Sequence, residues 1–120
     1  MLSRAFAEEF ANDWLSAWND RDIDRILSHY ADDVVFHSPR IALVMGNEAN
    51  AVRGKKALQA YWTEALSRAR SLFFAIDDIL VGSDAVTILY TNHREEKVAE
   101  TFIFNEDSEI SLSIMAYSPI

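Results

Sequence analysis

Two strands and the turn between them can be read from residues 85–104, AVTILYTNHREEKVAETFIF. Apolar side chains recur with a period of two on both sides of the charged turn, which predicts strands over residues 85–92 and 98–104. A connection this short makes the two strands antiparallel neighbours. The same period marks residues 72–80 and 110–117, so the second half of the chain is predicted to form a four-stranded meander.

The first part of the chain has helical spacing instead. Phe6, Phe10, Trp14 and Trp18 follow one another at intervals of four, which places four aromatic rings on one face of a helix. Ser3 precedes the helix and is expected to cap it. The sequence therefore predicts a long amphipathic first helix that packs against a core through its aromatic face.

A short second helix and an early strand follow. Asp22 is predicted to cap a helix that buries apolar residues up to Tyr30. Residues 34–37 are rich in β-branched and aromatic side chains and predict a strand, which ends before Pro39.

Residues 40–53 carry no clear period, and we interpret them as a partly ordered lid or loop. Residues 55–70 regain helical spacing and predict a third helix. We therefore expect residues 1–120 to form one α+β domain with a cone-like fold. In it, three N-terminal helices pack on the concave face of a curved, mainly antiparallel β-sheet.

Composition narrows the range of partners and compartments. The chain has 120 residues, with 11 Lys+Arg against 19 Asp+Glu and a net charge of −8, which disfavours nucleic acid as a partner. It has no cysteine, no visible signal peptide and no apolar run of about 18 residues. We expect a soluble, cytoplasmic protein without a membrane partner.

Several motifs resemble one known group of proteins. They are WLSAWNDRDID at 14–24, YADDV at 30–34, FHSP at 36–39 and AETFIF at 99–104. These stretches resemble ketosteroid isomerases and SnoaL-like polyketide cyclases, of the nuclear-transport-factor-2-like superfamily. The resemblance implies a cone-shaped fold with a small-molecule pocket. Because this superfamily includes isomerases, cyclases, dehydratases, hydrolases and pure binding modules, it does not imply one activity.

The resemblance also points to site residues. The family's tyrosine oxyanion donor corresponds to Trp14, its catalytic aspartate to Ser38 and its second acidic group to Glu100. Ser38 and Glu100 are therefore the candidate catalytic residues, although a serine hydroxyl needs an activating partner to act as a base. Alternation places Glu100 on the same face as Phe102, where burial would raise its pKa. The alternative is a glutamate that faces water and pairs with a neighbouring cation.

The predicted pocket is apolar and contains no cofactor or metal. The three histidines, His29, His37 and His93, lack metal-ligand spacing. Aromatic and apolar residues of both halves could bind a small hydrophobic molecule or simply form a core. The candidate ligand-binding residues are Trp14, Trp18, Tyr30, Phe36, Trp62, Tyr90, Phe102, Met115 and Tyr117.

Two functions therefore remain open. One is a cofactor-independent isomerase, cyclase or dehydratase that acts on a hydrophobic carbonyl compound, and the alternative is a non-catalytic ligand-binding or dimerisation module.

The last strand also predicts a homodimer. Alternation places Ile110, Leu112 and Ile114 on one face, next to Leu89 of a neighbouring strand. If this is the convex face of the sheet, it is an apolar surface that a second copy could cover. The alternative is that a helix of the same chain covers it.

Overall fold

The computed structural model describes residues 1–46 and 48–119. No helix in these ranges is both long and apolar enough to cross a membrane. The elements, in chain order, are α1 Arg4–Asn19, α2 Ile23–Leu27, β1 Tyr30–His37, α3 Ile41–Met45, β2 Ala51–Arg53, α4 Lys55–Arg68, β3 Ala75–Val81, β4 Ala85–Thr91, β5 Lys97–Phe104 and β6 Ile110–Ser118.

The strands form one open, curved sheet in the order β2-β1-β6-β5-β4-β3. The meander from β3 to β6 is antiparallel, as predicted from the period of two. β1 lies parallel to β6 and inserts the first strand beside the last, a pairing that no local pattern predicts. With the helices packed on the sheet, this architecture confirms the predicted α+β cone.

The predicted helix starts are correct because their caps form. The Ser3 hydroxyl accepts the Phe6 N–H at 3.0 Å, and the Asp22 carboxylate accepts the Arg25 N–H at 3.2 Å. Each cap satisfies a backbone donor that the first turn of a helix leaves free.

Two boundaries differ from the prediction. Tyr30 opens β1 instead of ending α2. Residues 72–74 lie outside β3 because the Asn19 side chain takes the backbone groups of Phe74. The Phe74 N–H donates to Asn19 Oδ1 at 2.8 Å, and Asn19 Nδ2 donates to the Phe74 carbonyl at 3.0 Å. With both groups taken, Phe74 cannot enter a β-ladder.

The segment that we interpreted as a lid or loop has regular structure. It contains α3 and β2, and β2 pairs antiparallel with β1 through partners such as Val52 and Phe36. The antiparallel return of β2 along β1 brings the chain to the start of α4.

The predicted face of Ile110 is wrong, and a β-bulge is the reason. Ile103 pairs with Leu112, but the next partners are Phe104 and Ile110, so Ser111 is an extra residue on β6. The extra residue turns Ile110 into the core, where it is fully buried. Leu112 and Ile114 keep the expected outer face, and Ile114 is 46% exposed.

The clamp between α1 and the chain before β3 gives a stability prediction. Asn19→Ala removes two hydrogen bonds and should lower the free energy of unfolding by about 1–3 kcal/mol. The matched control is Asn12→Ala on the exposed face of the same helix, which should change it by less than about 0.5 kcal/mol. Urea unfolding of both variants checks this, and equal effects at the two positions would contradict a clamp at Asn19.

Candidate active site

A cavity of about 330 Å³ opens between the helices and the inner face of the sheet. Its wall is mainly aromatic and aliphatic, with hydroxyl groups and a few charges. The residues around it are Trp18, Phe36, Ser38, Arg40, Leu43, Val44, Tyr61, Trp62, Ala65, Arg68, Ala69, Leu72, Phe74, Tyr90, Arg94, Glu100, Met115 and Tyr117.

Glu100 is the one carboxyl among these residues. β5 alternates buried and half-buried positions, and Glu100 shares the inner face with Val98 and Phe102. Only 3% of Glu100 is exposed. The side chain is therefore oriented as the alternation predicts, towards the cavity and away from bulk water.

Two hydroxyl groups satisfy the Glu100 carboxylate. Ser113 on β6 donates to Oε2 at 2.7 Å, and Tyr90 on β4 donates to Oε1 at 3.3 Å. These donors come from the two strands that flank β5, so the sheet register places them. A buried carboxyl without such partners would cost several kcal/mol.

Burial sets the protonation of the site. Desolvation raises the pKa of Glu100 to about 7, and the bonds from Ser113 and Tyr90 only partly offset this. Burial and then the charge of Glu100 raise the pKa of Tyr117 to about 12, and the same two causes raise that of Tyr90. At neutral pH, Glu100 therefore exists in both forms while the tyrosines keep their protons.

Six of the nine predicted ligand-binding residues lie around the cavity, and three do not. Trp14, Tyr30 and Phe102 are fully buried behind it. Their rings support the wall, since Trp14 contacts Tyr90 and Phe102, and Tyr30 contacts Trp62. They therefore belong to the core. An inward-facing aromatic residue can reach either the cavity wall or the core behind it, and the sequence does not tell which of the two it reaches.

Ser38 lies at the cavity, and the described residues place no base beside it. The residue is buried, and its Oγ accepts the backbone N–H of Arg40 at 3.1 Å. Its other polar neighbour is the Tyr117 hydroxyl, whose pKa Ser38 lowers against the larger effect of burial. Neither group can remove the serine proton, so the arrangement fits a positioning role for Ser38.

Sequence reasoning did not find several cavity residues. Arg40, Leu43 and Val44 lie in the segment that we interpreted as a lid or loop, and α3 brings all three to the cavity. Arg94 lies in the turn between β4 and β5. The charged composition of the turn that contains Arg94 was the one signal in the sequence that could have pointed to these residues.

No metal cluster is visible among residues 1–46 and 48–119. His29 contacts Asp13 at 2.6 Å, and His93 lies in the β4–β5 turn.

The family model of the SnoaL-like domain matches residues 11–115. The chain therefore belongs to the SnoaL-like family, within the nuclear-transport-factor-2-like superfamily. Proteins of this fold bind small molecules or act as isomerases and cyclases. Among curated proteins, none has a sequence that matches the chain.

Solved structures agree with this family. A SnoaL-like protein of unknown function from Burkholderia thailandensis is 37% identical, with a TM-score of 0.90 and 98% of each chain covered. A proposed polyketide cyclase from Sinorhizobium meliloti is 16% identical, with a TM-score of 0.73 over 90% of this chain and 94% of the other. An NTF2-like protein of unknown function from Cytophaga hutchinsonii is 10% identical, with a TM-score of 0.74 over 99% and 96%. The last two show the fold alone.

The burial of Glu100 predicts a pH-dependent stability. Because its folded pKa is raised above the unfolded value, its contribution is full below the unfolded pKa and is lost as pH rises towards about 7. The loss amounts to about 3 kcal/mol for a shift of this size.

Glu100→Gln should remove this pH dependence, so the variant should be as stable as the wild type or more stable at pH 8. Urea unfolding at pH 5 and pH 8 measures the difference, with exposed Glu106→Gln as the control. A wild type and Glu100→Gln variant with the same pH dependence would show an ordinary Glu100 pKa.

Proposed function

We propose that the protein is a cofactor-independent acid–base enzyme that acts on a hydrophobic carbonyl compound, with Glu100 as the group that exchanges the proton. One observation supports this above the others: a carboxyl with a pKa of about 7 borders an apolar cavity of about 330 Å³. A group with a pKa near the working pH can both take and return a proton.

The reaction begins with the ionised form of Glu100. The carboxylate takes a proton from the carbon next to the substrate carbonyl, and the C–H electron pair moves to the carbonyl oxygen to form an enolate. If the substrate is a β,γ-unsaturated carbonyl compound, the enolate is a dienolate, and return of the proton at the γ-carbon gives isomerisation. If the enolate carbon instead attacks a second carbonyl of the substrate, the ring closes and the alkoxide that forms takes the proton from Glu100. In both cases Glu100 is regenerated, so no oxidant or cofactor is needed.

The enolate oxygen needs a hydrogen-bond donor that keeps its proton. Tyr117 fits this role because, among the described residues, its hydroxyl donates only to a weak acceptor, the Met115 sulfur at 3.8 Å, while Ser38, its other polar neighbour, lowers its pKa. A substrate oxygen could replace the sulfur without breaking a strong bond. Tyr90 keeps its hydrogen bond to Glu100, which lowers the pKa of that carboxyl.

One observation favours the alternative, a ligand-binding module without catalysis. The site has a single carboxyl, and Ser38 has no partner that would make it a base. The same cavity could then bind a carbonyl compound while Glu100 only donates or accepts a hydrogen bond.

Exchange of the α-protons of a bicyclic ketone, β-tetralone, with deuterated water separates the two functions. The wild type should accelerate exchange, with a rate that rises as pH passes through about 7. Glu100→Gln should lower the enzymatic rate by about 10²-fold or more, and Glu106→Gln should leave it unchanged. Ser113→Ala removes a bond that lowers the Glu100 pKa, so its pH midpoint should move upwards. If the ketone binds but the wild type and Glu100→Gln exchange it equally, the module without catalysis is the better description.

We also propose that a second copy of the chain covers the convex face of the sheet. Leu112, Ile114 and Leu89 lie on this face, and the helices pack on the other side. A two-fold axis would place this apolar patch against itself.

Leu112→Asp tests the homodimer. A charge in the interface without a partner costs about 3–5 kcal/mol, so the variant should sediment as a monomer while the wild type sediments as a dimer at micromolar concentration. Leu43→Asp is the matched control, because Leu43 is 69% exposed on α3 and lies on the opposite side. A monomeric wild type would rule the dimer out.

A further inference from the structure

Three arginines line the cavity although the whole chain is acidic. The protein has a net charge of −8, with 19 acidic residues. The residues that line the cavity nevertheless include Arg40, Arg68 and Arg94, with Glu100 as their carboxyl. Arg40 pairs with Glu96 and Arg68 with Glu64, whereas Arg94 has no such pair among the described residues. Cationic groups concentrated at one apolar opening of an acidic protein attract anions there.

Arg40 is fixed by two contacts, and its guanidinium keeps N–H donors beyond the one that binds Glu96. Its guanidinium pairs with Glu96 and lies over the Tyr117 ring, 4.4 Å from the ring centroid. The side chain is only 20% exposed. A guanidinium has five N–H donors, and no further acceptor for them is found within residues 1–46 and 48–119. The guanidinium of Arg40 is thus fixed in place before a ligand binds.

Of the three arginines at the cavity, Arg94 is the one whose guanidinium has no ion-pair partner among the described residues. It is exposed at the β4–β5 turn, and its guanidinium makes no hydrogen bond or ion pair with the described residues. Both Arg40 and Arg94 lower the pKa of Glu96, after the larger effect of the Asn92 hydrogen bond. Both arginines therefore lie near Glu96, and both line the cavity.

Arg68 has a different use. Its side chain pairs with Glu64 at 2.9 Å and donates to the Leu43 carbonyl at 3.3 Å, so it ties α3 to α4. Arg94 therefore remains for a ligand, together with the guanidinium N–H groups of Arg40 beyond the one that donates to Glu96.

We propose that the ligand of this cavity carries a carboxylate, which Arg94 and Arg40 bind at the mouth while its apolar body extends towards Glu100. This inference rests on the proposed small-molecule site and adds the class of ligand: an apolar, ring-containing carboxylate. A planar carboxylate matches the fork of a guanidinium in a bidentate pair, whereas Lys would act as a point charge. The carboxylate also fixes the direction in which the body enters, so the reacting carbon is the one far from the acid group.

A pair of isosteric probes tests the class of ligand. Naphthalene-2-carboxylate and naphthalene-2-carboxamide have the same shape, and only the first is charged at about pH 6. Isothermal titration of the wild type and Arg94→Gln should show the carboxylate weakened about fivefold and the amide changed by less than about twofold. Arg94→Gln removes no intramolecular bond, so the variant should fold. Arg40→Lys, which keeps the charge but loses the fork, should also weaken the carboxylate more than the amide.

Two controls locate the effect. Arg53→Gln changes an exposed arginine outside the cavity and should leave both affinities unchanged. Ala65→Trp fills the cavity from α4 and should abolish binding of both probes.

If Arg94→Gln changes both probes equally or neither, the inference is wrong and the cavity proposal stands. Absence of binding to the wild type, or binding that survives Ala65→Trp, overturns both. If Arg94→Gln weakens binding of the carboxylate alone and Glu100 does not accelerate proton exchange of the ketone, the protein is a carboxylate-binding module without catalysis.

Discussion

The buried carboxyl of Glu100 places the strictest demand on the rest of the structure. A carboxyl in an apolar environment costs several kcal/mol unless hydrogen bonds compensate for the lost water. Its donors, Ser113 and Tyr90, lie on the two flanking strands, so they reach it in one register only. A slip of one residue would turn either hydroxyl to the other face. The register that pairs β4, β5 and β6 therefore also fixes the hydrogen bonds that influence the protonation of Glu100.

The wall of the cavity depends on a second layer of aromatic rings. Trp14 stacks on Phe74 at 5.6 Å and meets Tyr90 at 5.0 Å, so the core holds two cavity residues from behind. Asn19 fixes the backbone of Phe74 from the end of α1. Because close-packed rings and a side-chain clamp determine the wall, the cavity keeps its shape without a ligand.

The two ends of the cavity have different chemistry. Glu100 lies on the sheet, among buried aromatic residues, whereas Arg40 and Arg94 lie on connections between elements. Members of one fold family differ in such connecting segments more than in their cores. A shared cone with the SnoaL-like family is thus compatible with a ligand specific to this chain.

The sequence was sufficient for the meander, for helices α1, α2 and α4 and for the inward position of Glu100, because a period of two or 3.6 and a capping residue act locally. Three features needed contacts between residues far apart in the chain. The bulge at Ser111 placed Ile110 in the core, since one extra residue exchanges the faces of a strand. The depth of Trp14, Tyr30 and Phe102 behind the cavity depends on which layer each ring meets.

The arginines at the mouth are the third feature. Arg40 and Arg94 are 54 positions apart and meet at Glu96 only because β1 lies in the sheet beside β6. Local periodicity contains no information about this crossover, since it arises from the burial of β1 within the sheet. The buried carboxyl of the site could therefore be named from the sequence, whereas the arginines at its entrance followed only from the folded arrangement of the strands.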